Sequence, residues 1–318
     1  MTVYAHVLTA IFPLFSLIIL GYGAKKMRLL HATDAPALNR FVVSITLPAF
    51  VFHTLLTYHL RADLLELPLV FWISEFMVLC LAIVGGKVFK WTSPQTGTLM
   101  LQSVFGNTGY IGYPMCTALF PMRLPAAVLI DQMGMSIPLY PGAPIIGSVF
   151  GKSQAEGSQK PIWGFLKTPV FIALALGLLL KLVPQAWVPS TPPFVVFGKY
   201  FVQVISMIGG VTIPVVLIAV GLLLRPSSLA QHYQKVAVIG VYKLILMPLL
   251  TWLVARFLFQ MSGSLLAICV MEACMPPSAT STVFSGLYDL DGSLAVGAFF
   301  ALTILSALTL PLMLGILR

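Results

Sequence analysis

Ten apolar stretches, each long enough to cross a lipid bilayer as a helix, fill most of this 318-residue chain. A helical span needs about 20 mostly apolar residues to cross a hydrocarbon layer about 30 Å thick. The expected spans, numbered 1 to 10, cover residues 5–24, 38–57, 67–90, 95–119, 124–149, 162–183, 194–224, 233–258, 264–288 and 293–317. The sequence therefore predicts an all-α membrane protein with ten transmembrane helices.

Charged residues are too scarce to cover a water-facing surface. They make up 8% of the chain, against about 25% in soluble domains, and the mean hydropathy is +0.99. The net charge of +9 does not indicate a nucleic-acid partner, because the cations lie in short loops between the apolar stretches. The expected partner is the lipid bilayer, and no nucleic acid is expected.

The distribution of Lys and Arg predicts the orientation in the membrane. The loops that follow odd-numbered spans hold 11 of these residues, and the loops after even-numbered spans, with the C-terminus, hold 6. Because cytoplasmic loops carry the basic excess, the odd-span loops are expected in the cytoplasm. Both termini are then expected outside.

A polar linker at residues 151–161 divides the chain into halves of five spans, 1–150 and 162–318. Thr46-Leu47-Pro48 in span 2 reappears as Thr212-Ile213-Pro214 in span 7, 166 positions later. Because five spans is an odd number, the second half must lie inverted across the membrane. Inverted repeats of this kind are typical of secondary transporters.

Spans 4 and 9 contain residues that interrupt a helix. Residues 106–114 hold three glycines and a proline, and Pro276 and Pro277 are adjacent in span 9. Gly costs about 1 kcal/mol and Pro about 3 kcal/mol inside a helix. Breaks at matching places in two inverted halves point to a substrate site halfway through the membrane. The two broken helices are therefore expected to cross there.

Such a crossing suits an anion. A broken helix exposes the N-terminus of its second half, which carries roughly half a positive charge and unpaired N–H donors. Two of these ends could hold a small organic anion without a full fixed charge. The residues expected to bind substrate are Asn107, Thr108, Gly109, Tyr110, Pro114, Pro276, Pro277, Ser278, Thr280 and Ser281.

Charged residues deep inside an expected span are costly and usually functional, and four of them stand out here. They are Glu75, Asp131, Lys243 and Glu272. Glu272 precedes the span 9 break by one helical turn, which favours a proton site or a Na⁺ site there. An alternative is that Lys243 neutralises the Glu272 carboxyl. Glu75 and Lys243 are expected to form an ion pair that opens during ion coupling, and Asp131 is expected nearer a membrane face.

Four segments in order resemble the auxin efflux carrier family and its bacterial malonate and malate carriers. They are Leu47-Pro48-Ala49, GNTGYIGYP at 106–114, MPPSATSTVFSGLYDLD at 275–291 and ILSALTLPLML at 304–314. The resemblance implies a fold similar to that of bile-acid symporters, with scaffold spans 1, 2, 6 and 7. It implies that spans 3–5 and 8–10 form a transport domain that moves like an elevator.

The resemblance also implies a homodimer through the scaffold and a place in the plasma (inner) membrane. It gives Asn107 a substrate-contact role, because an asparagine precedes the crossing proline of span 4 in the family. Span 9 departs from the plant members, which also carry an asparagine near the break. Here the polar residues are Ser278, Thr280 and Ser281, which weakens the case for auxin itself as the substrate.

The combined expectation is a secondary transporter of a mono- or dicarboxylate, coupled to H⁺ or Na⁺ and using no other cofactor. No phosphate-binding loop, GxSxG or HExxH motif is present in the sequence, so no enzyme activity is expected. Two alternatives stay open: an ion exchanger of the Na⁺/H⁺ antiporter type, and a membrane sensor that binds its ligand without transport. The sequence shows no pair of carboxylates at a crossing, which weighs against the exchanger.

Overall fold

The computed structural model describes residues 3–58, 62–151, 166–183, 191–224 and 227–316. Within these ranges every regular element is a helix, and the one β pairing is an isolated bridge between Gly106 and Pro277. This confirms the expected all-α class. Residues 152–161 of the expected linker and residues 162–165 of span 6 lie outside the described residues.

The α-helices follow the expected spans closely. In chain order they are α1 Val3–Lys26, α2 Ala35–Phe41, α3 Leu47–Thr57, α4 Glu66–Val88, α5 Ser93–Val104, α6 Tyr113–Leu119, α7 Leu124–Leu129, α8 Ile137–Phe150, α9 Pro169–Leu182, α10 Pro192–Gly210, α11 Thr212–Leu223, α12 Ser227–Val241, α13 Met247–Leu253, α14 Gly263–Ala273, α15 Ala279–Leu287 and α16 Gly292–Ile316. Within the described residues, one helix or a run of helical pieces overlaps each of the ten spans. Whether all ten cross the membrane stays a prediction.

Five π-helical segments widen the described helices; no proline follows Val254–Leu258, and each of the other four ends two residues before a proline. These four segments are Val42–Thr46, Thr108–Gly112, Ile130–Ser136 and Tyr242–Leu246, which precede Pro48, Pro114, Pro138 and Pro248. Proline lacks an N–H and its ring clashes with the carbonyl four residues earlier, so the turn before it opens. The α-helical hydrogen-bond pattern is therefore interrupted before each of these prolines, and the helix continues beyond it.

Five helical stretches in the described part of the chain are long and apolar enough to cross a membrane. They are Ala32–Thr57, Glu66–Val88, Val195–Leu223, His232–Leu258 and Gly292–Gly315. Large apolar side chains on these stretches are exposed, among them Phe76 (68%), Phe197 (67%) and Leu308 (65%). Exposure of this kind fits a protein whose solvent is lipid. The fold is that of a multi-pass helical membrane protein.

The chain forms two compact units. The first, called here the crossing unit, contains residues 1–16, 63–162 and 223–318, and the second, the framework unit, contains residues 17–62 and 163–222. The crossing unit holds α4–α8 and α12–α16, so it contains both expected breaks. That the two units are a moving transport domain and a fixed scaffold stays a prediction.

In the framework unit, glycines allow helices to touch backbone to backbone. A Cβ on Gly221 of α11 would overlap the Ile18 carbonyl oxygen of α1 and lie 2.8 Å from Tyr22 N. Nearby, the Lys25 ammonium donates to the Leu222 carbonyl at the end of α11 (2.8 Å). Small residues at a membrane helix crossing permit this close approach, which strengthens dispersion contacts.

A second close contact in the same unit lies between α9 and α3, here with a side chain against the glycine. A Cβ on Gly177 would lie 2.8 Å from Leu55 Cδ1, and Lys181 donates to the Leu56 carbonyl at the end of α3 (2.9 Å). Leu56 and Leu222 are 166 positions apart, which is the offset of the two Thr-x-Pro motifs. A lysine thus caps the end of α11 and another caps the end of α3, at positions that share this offset.

In the crossing unit, Asp291 ties the start of α16 to α5. Its carboxylate accepts the Leu294 N–H (3.0 Å) and the Ser293 hydroxyl (2.7 Å), and its own N–H donates to Thr98 Oγ1 (3.0 Å). Burial alone would raise the pKa of Asp291, but these hydrogen bonds outweigh it and hold the pKa below its ordinary value. Asp291 is therefore an ionised N-cap outside the apolar span.

Candidate functional site

The first interruption lies where the span 4 sequence predicts it. Helix α5 ends at Val104, residues 105–107 leave the helical conformation, and the chain resumes as Thr108–Gly112 followed by α6. The second half-helix, residues 108–119, is named the forward half-helix below. Three unwound residues release backbone groups that need new partners inside an apolar protein.

The second interruption lies at residues 274–278, between the end of α14 and the start of α15. The two breaks meet. Asn107 N–H donates to the Pro276 carbonyl (2.7 Å), and Ser278 N–H donates to the Phe105 carbonyl (2.9 Å). The two segments run antiparallel, and each satisfies backbone groups that the other has freed. The expected meeting of two broken helices is therefore observed.

Asn107 joins the crossing to the forward half-helix. Its backbone carbonyl accepts the N–H groups of Ile111 (2.9 Å) and Gly112 (3.1 Å) and so starts that half-helix. Its side chain is 3% exposed, and the Nδ2 amide has no acceptor. An unpaired buried amide costs free energy, about 1–3 kcal/mol. It is also a donor available to a ligand.

Asp131 lies against the first turn of the forward half-helix, and the expectation that it lies nearer a membrane face stays a prediction. Its carboxylate accepts hydrogen bonds from Thr108 Oγ1 (2.5 Å), Tyr113 Oη (2.7 Å) and Gln132 Nε2 (2.6 Å). A Cβ on Gly109 would lie 3.0 Å from Asp131 Oδ2, closer than an ordinary contact, so the carboxylate packs tightly against this glycine. Asp131 is buried and fully hydrogen-bonded.

Glu272 lies against the same half-helix and has the opposite environment. It is fully buried, and neither carboxylate oxygen has a hydrogen-bond partner. A Cβ on Gly112 would overlap Oε2 and lie 2.8 Å from Oε1. Asp131 lies beside Gly109 and Glu272 beside Gly112 of one short helix, so the crossing does carry two buried carboxyls. The sequence analysis missed this pair, because 141 positions separate the two residues.

Lys243 lies at the crossing itself, where a Cβ on Gly106 would come within 3.0 Å of its Nζ. Its fully buried ammonium donates to the Val104 carbonyl at the C-terminal end of α5 (2.9 Å), where the helix dipole is negative. The expected direct ion pair with Glu75 is wrong: Glu75 is 2% exposed and both its carboxylate oxygens lack partners. The two side chains interact only through longer-range attraction. Lys243 prefers a carbonyl because unwinding leaves Val104 without its helical partner.

The start of α15 is held by serines. The Ser278 hydroxyl oxygen accepts the Ser281 N–H (2.9 Å), and the Ser281 hydroxyl donates back to the Ser278 carbonyl (3.0 Å). These bonds complete an N-cap, so Ser281 is fully buried in local structure. Thr280 beside it is only half-buried. The first amides of α15, at Ala279 and Thr280, have no intrahelical acceptor.

The remaining predicted residues lie at different distances from the break. Pro276 and Pro277 form the crossing itself. Tyr110 is half-buried in the π-helical turn. Pro114 does not lie in the break, since it is buried at the second position of α6. Pro114 instead widens the helical turn that precedes it.

A sequence signal for much of this site was available. Thr108, Asp131 and Lys243 all lie in π-helical segments that precede a proline. π-Helical turns are frequent at functional sites, because they leave backbone groups unpaired and re-aim side chains. A polar or charged residue three to seven positions before a proline inside an apolar span would therefore have selected these residues.

Comparison of the sequence with known protein families agrees with this architecture. A family model described as "Membrane transport protein" matches residues 6–314. The chain belongs to this family. The resemblance expected from the sequence is confirmed, and this membrane transport protein has transporters among its relatives.

Two relatives come from archaea. An uncharacterized transporter of Methanocaldococcus jannaschii is 26% identical over 303 residues, which cover 93% of this chain and 94% of that protein. An uncharacterized transporter of Methanothermobacter thermautotrophicus is 24% identical over 298 residues, 93% of each chain. The membrane transport protein therefore matches its relatives over nearly their whole length. The family implies a small-molecule substrate.

Proposed function

We propose that this transporter is a secondary carrier of a small organic anion, a mono- or dicarboxylate, driven by H⁺ or Na⁺. The observation that carries the proposal is the crossing: two half-helices start at one place, beside a buried amide donor without an acceptor. Such a place offers partial positive charge and N–H donors, and the Lys243 ammonium lies beside Gly106 of the same crossing. An anion would supply the missing acceptor.

Asn107 and the start of α15 are the proposed anion contacts. Asn107 N–H is fixed to the Pro276 carbonyl at 2.7 Å, which holds its side chain beside the second break. The amides of Ala279 and Thr280 and the Thr280 hydroxyl add donors at the α15 N-terminus. Ser281 serves the cap and would not contact substrate directly.

Glu272 is the proposed coupling residue. An ionised carboxylate buried without hydrogen bonds is strongly unfavourable, so this side chain favours a proton or a bound cation. The Glu272 carboxylate can bind a proton without any further ligand. Na⁺ would need further oxygens from backbone carbonyls, since no group of three His, Cys, Asp or Glu side chains lies together in the described residues. Glu75 and Lys243 would form a second charge pair with a longer-range attraction, which would change when the coupling ion binds Glu272.

Transport would use alternating access of the elevator type. The two compact units offer the parts that this needs, a crossing unit with the site and a framework unit with tight glycine contacts. In this proposal the framework unit is the scaffold of a homodimer in the plasma (inner) membrane, and both termini face outside. Cross-linking in native membranes tests the homodimer. Labelling of terminal tags in intact cells tests whether both termini face outside.

The proposal is tested with purified protein. A thermal-shift screen of mono- and dicarboxylates, with and without Na⁺, identifies ligands, and counterflow of a labelled hit in proteoliposomes then tests transport. We expect stabilisation by at least one carboxylate and counterflow of it. Binding without counterflow, in vesicles where the protein is shown to be folded, would contradict the carrier function.

An ion exchanger of the Na⁺/H⁺ type is a second candidate, because Asp131 and Glu272 flank the same half-helix. Paired buried carboxyls can exchange a cation for protons. Currents in proteoliposomes after a pH or Na⁺ jump, recorded without any organic anion, distinguish the two candidates. The organic-anion carrier predicts currents only when the carboxylate is present.

A further inference from the structure

An apolar groove lies on the framework unit, between α9, α10 and the stretch that runs from Ser44 into α3. Its volume is about 430 Å³. Among the described residues that line it, Ser44 is the one with a polar side chain. Large apolar side chains in the lining are close to half exposed: Ile45 (51%), Ile172 (47%), Leu176 (50%) and Phe201 (43%). The groove therefore suits an extended apolar group.

The length of the groove is close to the depth of one lipid leaflet. Its lining runs from Ser44 to Phe52, eight residues later, and a helix rises about 12 Å over that distance. The hydrocarbon core of a bilayer is about 30 Å thick, so one leaflet contributes about 15 Å. A single acyl chain of a lipid would therefore lie along most of the groove.

The helices α3 and α9, on two sides of the groove, run in the same direction. Their C-terminal ends lie together, because the Lys181 ammonium donates to the Leu56 carbonyl (2.9 Å). At its other end α9 begins beside the segment Val42–Thr46, which precedes α3 and contacts α9. Ser44 and the start of α9 therefore lie at the same end of the groove.

This end, named the basic end below, carries two cations. Arg40 lies one helical turn before Ser44, and Lys167 lies two residues before α9 begins. Both side chains are exposed, and neither has a hydrogen bond or an ion pair within the described residues. The positive end of the α9 dipole adds to their potential.

Acidic residues do little to offset these cations. The two stretches of the framework unit, 17–62 and 163–222, contain eight Lys or Arg residues and one acid, Asp34, which lies 3.8 Å from His31. At the opposite end of the groove both α3 and α9 end, so their dipoles are negative there, and Lys181 already binds a carbonyl. The charges therefore favour an anion at the basic end.

We propose that the framework unit binds one anionic phospholipid, with an acyl chain in the groove and the phosphate held by Arg40 and Lys167. Arginine donates paired N–H groups to phosphate oxygens, and lysine adds a point charge. Both residues belong to the side of the protein that is expected in the cytoplasm, where the leaflet is rich in anionic lipids. The inference goes beyond the proposed function, because it depends on neither the substrate nor the coupling ion.

Native mass spectrometry of the full-length protein, delipidated in detergent, tests the site. The probes are dioleoyl phosphatidylglycerol and dioleoyl phosphatidylcholine, which share their acyl chains and differ in the net charge of the headgroup. We expect one tightly bound phosphatidylglycerol per protomer, with an affinity about tenfold or more above that of phosphatidylcholine. Equal affinities, or binding of neither lipid, would overturn the inference. A dimer that binds neither lipid would show that a second copy covers the groove.

The double variant Arg40→Gln with Lys167→Gln tests the headgroup contact. Because one basic residue near an anionic lipid changes affinity by about fivefold, we expect this variant to lose about tenfold or more of its affinity for phosphatidylglycerol and little for phosphatidylcholine. Lys199→Gln is the matched control, since Lys199 is an exposed cation on α10, two residues before Phe201 of the groove. The inference fails if the double variant keeps the wild-type preference, or if Lys199→Gln lowers it equally.

Ile172→Ser tests the acyl-chain contact. The serine hydroxyl would lie against the chain without a partner from the lipid, so we expect the affinity for phosphatidylglycerol to fall about threefold or more. Leu180→Ser is the control, because Leu180 lies on the same helix outside the groove and is 48% exposed, against 47% for Ile172. Equal affinities in the two folded variants would refute the groove as the site. Thermal unfolding reports whether each variant is folded, and if one is not, the comparison of the two lipids on the wild-type protein decides.

Discussion

The space between Gly112 and Glu272 allows a quantitative test of the coupling site. In Gly112→Ala, the new methyl group would lie 2.7 Å from the carboxyl carbon of Glu272, whereas ordinary contacts begin at 3.4 Å. The carboxyl must therefore move by more than about 0.7 Å, the difference of the two distances, because Oε2 lies closer to the new methyl group than the carboxyl carbon does. Because the forward half-helix and α14 are both buried, little room exists to absorb this shift.

Overpacking of this kind costs about 1–3 kcal/mol. Ala is also more favourable than Gly inside a helix by about 1 kcal/mol, and this offsets part of the free-energy cost of overpacking. Gly142→Ala corrects for this gain, because Gly142 lies in α8 of the same unit and a Cβ there meets no atom within 4 Å. The steric cost is then the difference between the two variants.

Two assays measure the effect. Thermal unfolding in detergent should place Gly112→Ala about 2–6 °C below Gly142→Ala. In proteoliposomes, uptake of the carboxylate found in the thermal-shift screen should lose most of its response to an imposed ion gradient in Gly112→Ala and keep it in Gly142→Ala. Equal unfolding temperatures and equal gradient responses would refute the contact between Gly112 and a coupling carboxyl.

Four other variants test separate parts of the structure. Asn107→Ala should abolish counterflow and leave unfolding temperature nearly unchanged, because it removes an amide that has no partner; wild-type flux would exclude its role. Glu272→Gln should remove the dependence of uptake on the ion gradient, and unchanged pH and Na⁺ dependence would count against it. Gly221→Ala should destabilise the fold by about 1–3 kcal/mol, while Gly23→Ala, which meets no atom within 4 Å, should not; equal expression and stability would contradict the helix contact. Asp291→Ala should cost about 0.5–2 kcal/mol near pH 7. Since the pKa of Asp291 is lowered by folding, this loss should vanish as the pH falls below that pKa, and a loss that persists in acid would argue against an ionised cap.

The breaks in spans 4 and 9 could be placed from the sequence because Gly and Pro act locally. Gly106 and the pair Pro276 and Pro277 destabilise a helix whatever surrounds them. The run of apolar residues likewise required helices, since only helices satisfy their own backbone inside lipid. Fold class, family and the positions of the interruptions therefore followed from the chain alone.

The interaction partners of the buried charged residues could not be assigned from the sequence. Glu75, Asp131, Lys243 and Glu272 were identifiable as costly residues in apolar spans, but their spacing did not tell which of them are paired. The direct Glu75–Lys243 pair proved wrong because unwinding at Val104 created a stronger local need for a donor. Which acceptor a buried charge finds depends on backbone groups that become free only when the helices break.

The sequence by itself determined that this protein is an all-helical member of a membrane transport family with two interrupted helices. Only the tertiary structure decided that both interruptions meet, that Asp131 is saturated with hydrogen bonds, and that Glu272 has none. The physical reason is the range of the interactions involved. Hydropathy and helix breaking act within a few residues of the chain. The state of a buried carboxyl is set by neighbours farther along it, as for Asp131 with Thr108 and Tyr113, or in the other half of the chain, as for Glu272 with Gly112.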